Sequence, residues 1–277
     1  MFQTIQLFWL PNQHQAESCA LEAARILLKH GVRLLLPGKA GKDAVPELLL
    51  SFGGDGALLA AAREAIRWDI PLMGVNLGTV GFLTEEEPAR LEAALEEILS
   101  GRYTLEEREL LSAELPGHEP ALALNDVVVS RGGYARLIKV GCRVNGEEYG
   151  TFMADGMIVA TPTGSTGYSL SAGGPIVEPG TDCMLITPIC AHSLQRHSSV
   201  VSSRSEVRLT LQADRVQSAL LQIDGQSVAN LHAGDEVTIR TSEQRIRLLR
   251  LHPSRFFTLI RRKLSEWGSL QELTGEG

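Results

Sequence analysis

Apolar and polar positions in the first hundred residues fall into two alternating rhythms. Ile5–Leu10 is a short β-favouring apolar run. Glu17–His30 carries apolar residues at helical spacing and stops at Gly31, a residue suited to the position just past a helix end. Val32–Leu36 is apolar again. Leu48–Phe52 is a compact apolar run that ends at Gly53-Gly54-Asp55-Gly56, and Ala57–Trp68 then reads as a helix. Pro71–Val75 predicts another short strand, followed by Asn76-Leu77-Gly78. Thr84-Glu85-Glu86-Glu87 has the form of a capping box opening a helix over Pro88–Leu99, closed by Gly101. Strands separated by helices imply parallel pairing with helical crossovers.

The rhythm changes after Leu105. Short β-rich runs replace the long helical patterns: Ala123–Ser130, Leu137–Val144, Met157–Ala160, Met184–Ile189, Val207–Leu211, Ala219–Ile223, Glu236–Ile239 and Arg245–Leu251. Turns such as Asn145-Gly146 and Asp224-Gly225 separate many of them, which is the pattern of a β-sandwich. Pro253–Trp267 is helical in pattern, with Phe256, Phe257, Ile260 and Leu264 on one face. The expected architecture is an α/β N-terminal domain with a parallel sheet (residues 1–104), then an all-β sandwich-like domain (residues 105–252). A C-terminal helix within 253–277 returns to the first domain.

Composition narrows the function. The 277 residues include 26 Lys and Arg against 33 Asp and Glu, a net charge of −7. An apolar fraction of 44% excludes a disordered chain. The acidic balance argues against electrostatic binding to nucleic acid. No apolar run reaches the ~18 residues of a membrane span. The first basic residue is Arg25, so no signal peptide is expected. Cys19, Cys142, Cys183 and Cys190 are scattered with no C-x-x-C pair, as expected of free thiols in a cytoplasmic protein. Glycine is in excess, at 27 residues, against a usual ~7%.

Much of that glycine falls in segments that carry candidate chemistry. The first is Gly53-Gly54-Asp55-Gly56. A strand–glycine turn–helix junction lies at the carboxyl edge of a parallel sheet, where backbone N–H groups and the helix N-terminus favour phosphate. Asp55 is a carboxylate where anions are expected. It suits proton abstraction from an attacking hydroxyl, or a Mg²⁺ on phosphate, while a simple helix cap explains these four residues equally well. The second segment, Gly74–Thr84, offers another glycine-rich loop at the same edge and alone reads as a plain loop. The third, Leu124-Asn125-Asp126-Val127, brings an amide and an acid into an apolar strand. An amide can read a carboxamide and an acid can hold ribose hydroxyls, although a strand-entry turn also accounts for the pair. The fourth, Asp155–Pro175, is a strand feeding a loop crowded with hydroxyls and glycines, with Tyr168 able to stack on a base. G-x-x-x-x-G-K-[ST], G-x-G-x-x-G and the protein-kinase signatures are absent, and G-x-S-x-G is not met. His192 and His197 lack the spacing of H-E-x-x-H, so no metal-ligating residue is assigned. Arg131, Arg136 and Lys139 supply local positive charge for phosphates, or form a solvated face.

Taken together, Gly53–Gly56, Gly74–Thr84, Asn125-Asp126, Asp155–Pro175, Thr187–His192 and Asp224-Gly225-Gln226 resemble the bacterial NAD kinases in order and spacing, over nearly the whole chain. The resemblance implies a phosphotransferase that moves phosphate from ATP to the 2′-hydroxyl of the adenosine ribose of NAD, giving NADP. It further implies a divalent metal ion, Mg²⁺, on the donor nucleotide and a homodimer or homotetramer. The proton acceptor falls on Asp55, with Gly56 beside it. Substrate contacts fall on Asn125, Asp126, Arg136, Asp155, the stretch Thr166, Gly167, Tyr168, Ser169, Leu170 and Ser171, and Gln226. Ala57, Ala60 and Met153 depart from the family pattern around the phosphate donor. A lipid or sugar kinase of the same superfamily and a catalytically silent NAD(P)-binding sensor are the alternative readings.

Overall fold

The structure is a computed structural model and describes residues 2–41, 44–78, 81–133, 136–192, 197–213, 218–252 and 256–263. It divides into two compact units, Met1–Glu107 with Ile246–Gly277, and Arg108–Arg245.

The first unit is built on parallel strands β1 (Thr4–Trp9), β2 (Arg33–Leu35), β3 (Leu48–Gly53) and β4 (Leu72–Asn76), in the order β2-β1-β3-β4. Leu248, near the end of the chain's last strand, pairs in parallel with Leu72. Every residue of β3 is buried, which explains its unbroken apolar run: a parallel strand is covered on both faces. On one face Ile5, Leu7, Leu50 and Phe52 pack with Ala20, Ala23 and Leu27 of helix α1 (His14–Lys29) and Leu95 and Ile98 of helix α3 (Leu91–Leu99). Fully burying one such leucine or phenylalanine contributes about 1.5–3 kcal/mol. Strand alternation sends Gln6 and Gly74 to the other face. There the Gln6 amide donates to Glu64 of helix α2 (Asp55–Trp68), and Leu58 of α2 sits over Gly74.

Two local expectations are corrected. Helix α1 begins at His14, three residues before Glu17. The capping box at Thr84 does not form: a 3-10 turn at Pro88–Arg90 follows Glu87 without a side-chain cap and runs into α3. Thr84 instead donates its backbone N–H and its hydroxyl to Asp55. A tertiary partner has displaced the local one.

The remaining strands are β5 (Thr104–Glu114), β6 (Ala121–Ala123), β7 (Asp126–Ser130), β8 (Ile138–Val144), β9 (Glu147–Ala154), β10 (Gly156–Ala160), β11 (Cys183–Ile189), β12 (Ser199–Ser202), β13 (Val207–Leu211), β14 (Ser218–Ile223), β15 (Gln226–His232) and β16 (Glu236–Arg250). The division between units falls inside β5 and β16. Within the second unit one antiparallel sheet runs β12-β11-β10-β7-β14-β15, and a second antiparallel series runs β16-β13-β8-β9. Val127, Met157, Ile186 and Leu221 from the first share one core with Val140, Phe152, Leu209 and Ile239 from the second. This is the sandwich that the alternating runs predict. The expected run Ala123–Ser130 is broken between β6 and β7, at Leu124-Asn125.

At the chain end, residues 256–263 are helical. Phe257 is 70% exposed, against the expectation that it faces inward, whereas Phe256 and Ile260 are half-buried. Leu264–Trp267 lies outside the described residues. The Lys263 ammonium sits 4.9 Å from the Phe82 ring centre, which brings the helix back to the first unit. No described helix is long and apolar enough to cross a membrane.

Candidate active site

In open parallel sheets, ligands bind outside the carboxyl ends of the strands where the strand order reverses. The order β2-β1-β3-β4 reverses between β1 and β3. A cavity of about 300 Å³ opens there, lined by Gln13, His14, Gln15 and Ala16 after β1, Gly53 and Gly54 at the end of β3, and Leu77 and Gly78 after β4. Neither α1 nor α2 has a side chain capping its first turn. The leading N–H groups of both helices therefore suit an anion. The sequence reading missed Gln13–Ala16. Its one signal was a strand that runs through Pro11-Asn12 straight into a helix.

Asp55 is the first residue of α2 and is half-buried. Its Oδ2 accepts the Phe82 N–H at 2.7 Å. Its Oδ1 accepts the Leu83 N–H at 3.1 Å, the Thr84 N–H at 3.3 Å and the Thr84 hydroxyl at 3.5 Å. A carboxylate offers about four lone-pair positions, so Oδ1 is crowded and Oδ2 keeps one open. Gly81 is required here, because a Cβ would lie 2.2 Å from both Asp55 Oδ1 and Thr84 Oγ1. The first two glycine-rich segments thus form one object, a loop folded onto the Asp55 carboxylate. Gly56 follows, exposed.

In the second unit, the Asn125-Asp126 pair is held from two sides. The Asp224 carboxylate accepts the N–H groups of Leu124 at 2.8 Å, Asn125 at 2.7 Å and Asp126 at 3.1 Å. On the other side Thr161 donates its hydroxyl to the Leu124 carbonyl at 2.6 Å and its N–H to the Asn125 carbonyl at 2.9 Å. Gly164 packs against the same backbone so closely that a Cβ would lie 2.1 Å from the Asn125 oxygen. Asp126 is buried, and burial first, then the Asp224 charge, pushes its carboxyl up to about 7.

The fourth segment is more ordered than a loop. Thr163–Thr166 forms a 3-10 turn and Tyr168–Ser171 a short helix, α4. Buried Arg108, which the sequence reading did not single out, donates to the Thr163 hydroxyl at 3.2 Å. Thr166 donates to the Thr163 carbonyl at 3.3 Å. Tyr168 is 46% exposed. Partial burial chiefly, with Cys190, Asp155 and Asp126 nearby, raises its phenol above the ordinary range. Gly167 lies against Asn125 and Asp126. Ser169 is turned inward, its hydroxyl 2.9 Å from that of Thr187, while Leu170 is half-buried and Ser171 exposed. Asp155 is paired with Arg131, Nε to Oδ1 at 2.5 Å. Gln226 is exposed and opens β15 directly after the Asp224-Gly225 turn. Arg136 is exposed in the connection before β8. Among the described residues no three His, Cys, Asp or Glu side chains gather as a metal site.

Known proteins are similar to this chain in sequence and fold. Residues 39–103 match the model of the ATP-NAD kinase N-terminal domain, and residues 124–251 that of the ATP-NAD kinase C-terminal domain. The NAD kinase of Moorella thermoacetica is 42% identical over 229 residues, covering 82% of this chain and 73% of the relative. That of Magnetococcus marinus is 36% identical over 263 residues, covering 92% and 86%. Among solved structures, yeast NADH kinase complexed with NADH superposes with a TM-score of 0.84 at 25% identity, covering 95% of this chain and 87% of that one. An NAD kinase from Archaeoglobus fulgidus in complex with ATP gives 0.75 at 27% identity, covering 93% and 98%. With the aspartate-bearing glycine turn in one unit, the Asn-Asp pair in the other, and both matched by relatives over most of their length, this chain belongs to the NAD kinase family.

Proposed function

We propose that in this NAD kinase Asp55 takes the proton from the 2′-hydroxyl of the adenosine ribose of NAD as the γ-phosphoryl group of ATP arrives. The 2′-oxygen forms a bond to phosphorus, the bond from the γ-phosphorus to the β–γ bridging oxygen breaks, and ADP leaves with that electron pair. Such a reaction asks the protein for position and charge neutralisation more than covalent work. The observation that carries the reading is the state of Asp55. Three backbone N–H groups and a hydroxyl orient its carboxylate, and Oδ2 keeps a lone pair for the proton. The cavity beside Gly53-Gly54 and the two uncapped helix starts suit phosphate.

For the second unit the proposed role is recognition of NAD. Asn125 presents an amide, Asp126 an acid near its titration point, and Tyr168 an exposed ring suited to stacking. Asp155, Arg136, Gln226 and the Thr166–Ser171 stretch complete the proposed contacts, with Ser169 acting through its inward bond to Thr187. Relatives solved with NADH and with ATP support these two ligand classes.

The described residues do not build a resident metal cage, and the Asp55 carboxylate is engaged by loop donors. In this proposal Mg²⁺ belongs to the substrate, carried on ATP phosphate oxygens and water. Four unpaired cysteines support a reducing, cytoplasmic setting.

An assay of NADP formation tests the reading, with ATP supplied with Mg²⁺ or with a chelator. Asp55→Asn is expected to lose about a hundredfold or more in kcat, the scale of a general base, while calorimetric NAD affinity stays within about threefold. Near-normal NADP production by Asp55→Asn removes Asp55 from the role. Full turnover under chelation removes Mg²⁺ from the substrate.

A further inference from the structure

The loop that holds Asp55 is itself held from behind. The Leu83–Thr84 peptide is one rigid plane whose N–H and C=O point in opposite directions. Its N–H, from Thr84, donates to Asp55 Oδ1 at 3.3 Å. Its C=O, from Leu83, accepts from Arg250 Nη1 at 2.9 Å. A single peptide group therefore joins Arg250 to Asp55.

Arg250 lies near the end of β16 and is only 11% exposed. Its Nε donates to Glu106 at 2.8 Å, and its Nη1 meets Glu85 at 3.5 Å. Glu85, also 11% exposed, accepts the backbone N–H groups of Leu251 at 2.9 Å and His252 at 2.8 Å. Its own N–H donates to the Gly74 carbonyl in β4 at 3.1 Å. The end of the loop is thus tied to the sheet on one side and to the chain after β16 on the other. Withdrawing two charges from water this far is costly, and such a pair is a poor source of net stability. What it provides here is a fixed position for one peptide.

We propose that Arg250 and Glu85 are positioning residues for phosphoryl transfer: they fix the Leu83–Thr84 peptide and, through it, the orientation of the Asp55 carboxylate. The proposal rests on Asp55 as proton acceptor. Donation into the Leu83 carbonyl also polarises the peptide and strengthens its N–H bond to Asp55. Displacing a reacting group by about 1 Å costs on the order of a hundredfold in rate. The loss belongs to the transition state, so it falls on kcat and leaves substrate binding intact.

The test is steady-state kinetics on the full chain with Arg250→Met, Arg250→Lys, Glu85→Gln and, in parallel, Asp55→Asn. All assays run below each variant's melting temperature. Arg250→Met is expected to lower kcat about tenfold or more with KM for NAD within about threefold. Arg250→Lys, which keeps a cationic donor, recovers part of the loss. Hydrogen exchange at residues 82–85 speeds up in Arg250→Met ahead of the rest of the chain. If Arg250→Met does not fold, Glu85→Gln and Arg250→Lys, which keep the side-chain volume, carry the same expectation in smaller measure. Unchanged kcat in the folded variants, or equal losses in kcat and NAD affinity, overturns the proposal while Asp55→Asn still reports on Asp55. Near-normal turnover in Asp55→Asn overturns both readings together.

Discussion

Burial and the Asp224 charge raise the Asp126 carboxyl from an ordinary 3.8 to about 7, so near neutrality it is a mixture of acid and anion. As the acid it both donates and accepts, and can answer a ribose hydroxyl in either sense. The same shift ties stability to pH. Between about 4 and 7 the folded chain binds a proton that the unfolded chain has released. The contribution is complete below about 4 and is lost as pH rises through about 7, with a slope of at most ~1.4 kcal/mol per pH unit. Urea denaturation of Asp126→Asn and of the parent at pH 5 and pH 8 checks this. The parent should lose about 1–3 kcal/mol relative to the variant over that interval, and parallel pH dependences would contradict it. Asn125 and Asp126 were legible as a polar pair entering an apolar strand. The task of Asp224 was not, because the amides it binds lie 100 residues or nearly so away along the chain, and no local pattern encodes that meeting.

At the scale of elements, the segment from Leu48 to Trp68 was readable almost entirely. An apolar run, a glycine turn and an amphipathic stretch each obey a local rule, and β3 and α2 follow them. The strands β5 and β9 were not read. Thr104–Glu114 carries charges through its first half and Glu147–Ala154 opens on two glutamates, so the alternation that marks a half-buried strand is masked. The Thr84 capping box was legible and mistaken, since a sequence cannot show that Asp55 competes for the same residue. The turn after β10 gives a prediction at this scale. Gly164→Ala places a methyl against the Asn125 carbonyl, and backbone must shift on one side. A cost of about 1–3 kcal/mol is expected, seen as a lower melting temperature and weaker calorimetric NAD binding. An unchanged affinity would show that the 161–164 turn does not set the Asn125 position.

Across the whole molecule, a net charge of −7 opposes the approach of anionic nucleotides at long range. Screening then helps rather than hinders. Raising NaCl from about 20 to about 150 mM at constant Mg·ATP is expected to raise kcat/KM for NAD roughly twofold. A fall would mean that exposed cations such as Arg136 govern the encounter. Chain order has another consequence. The second unit is one continuous stretch, Arg108–Arg245, but the first needs Ile246 onward to complete its sheet. During synthesis domains close as their residues emerge. The half of the protein made first is then the half finished last, waiting on Leu248 beside Leu72 and on Arg250 behind Leu83. A nascent chain that already displays the glycine turn and its aspartate lacks the Arg250 bond to the Leu83 carbonyl until residue 250 has left the ribosome.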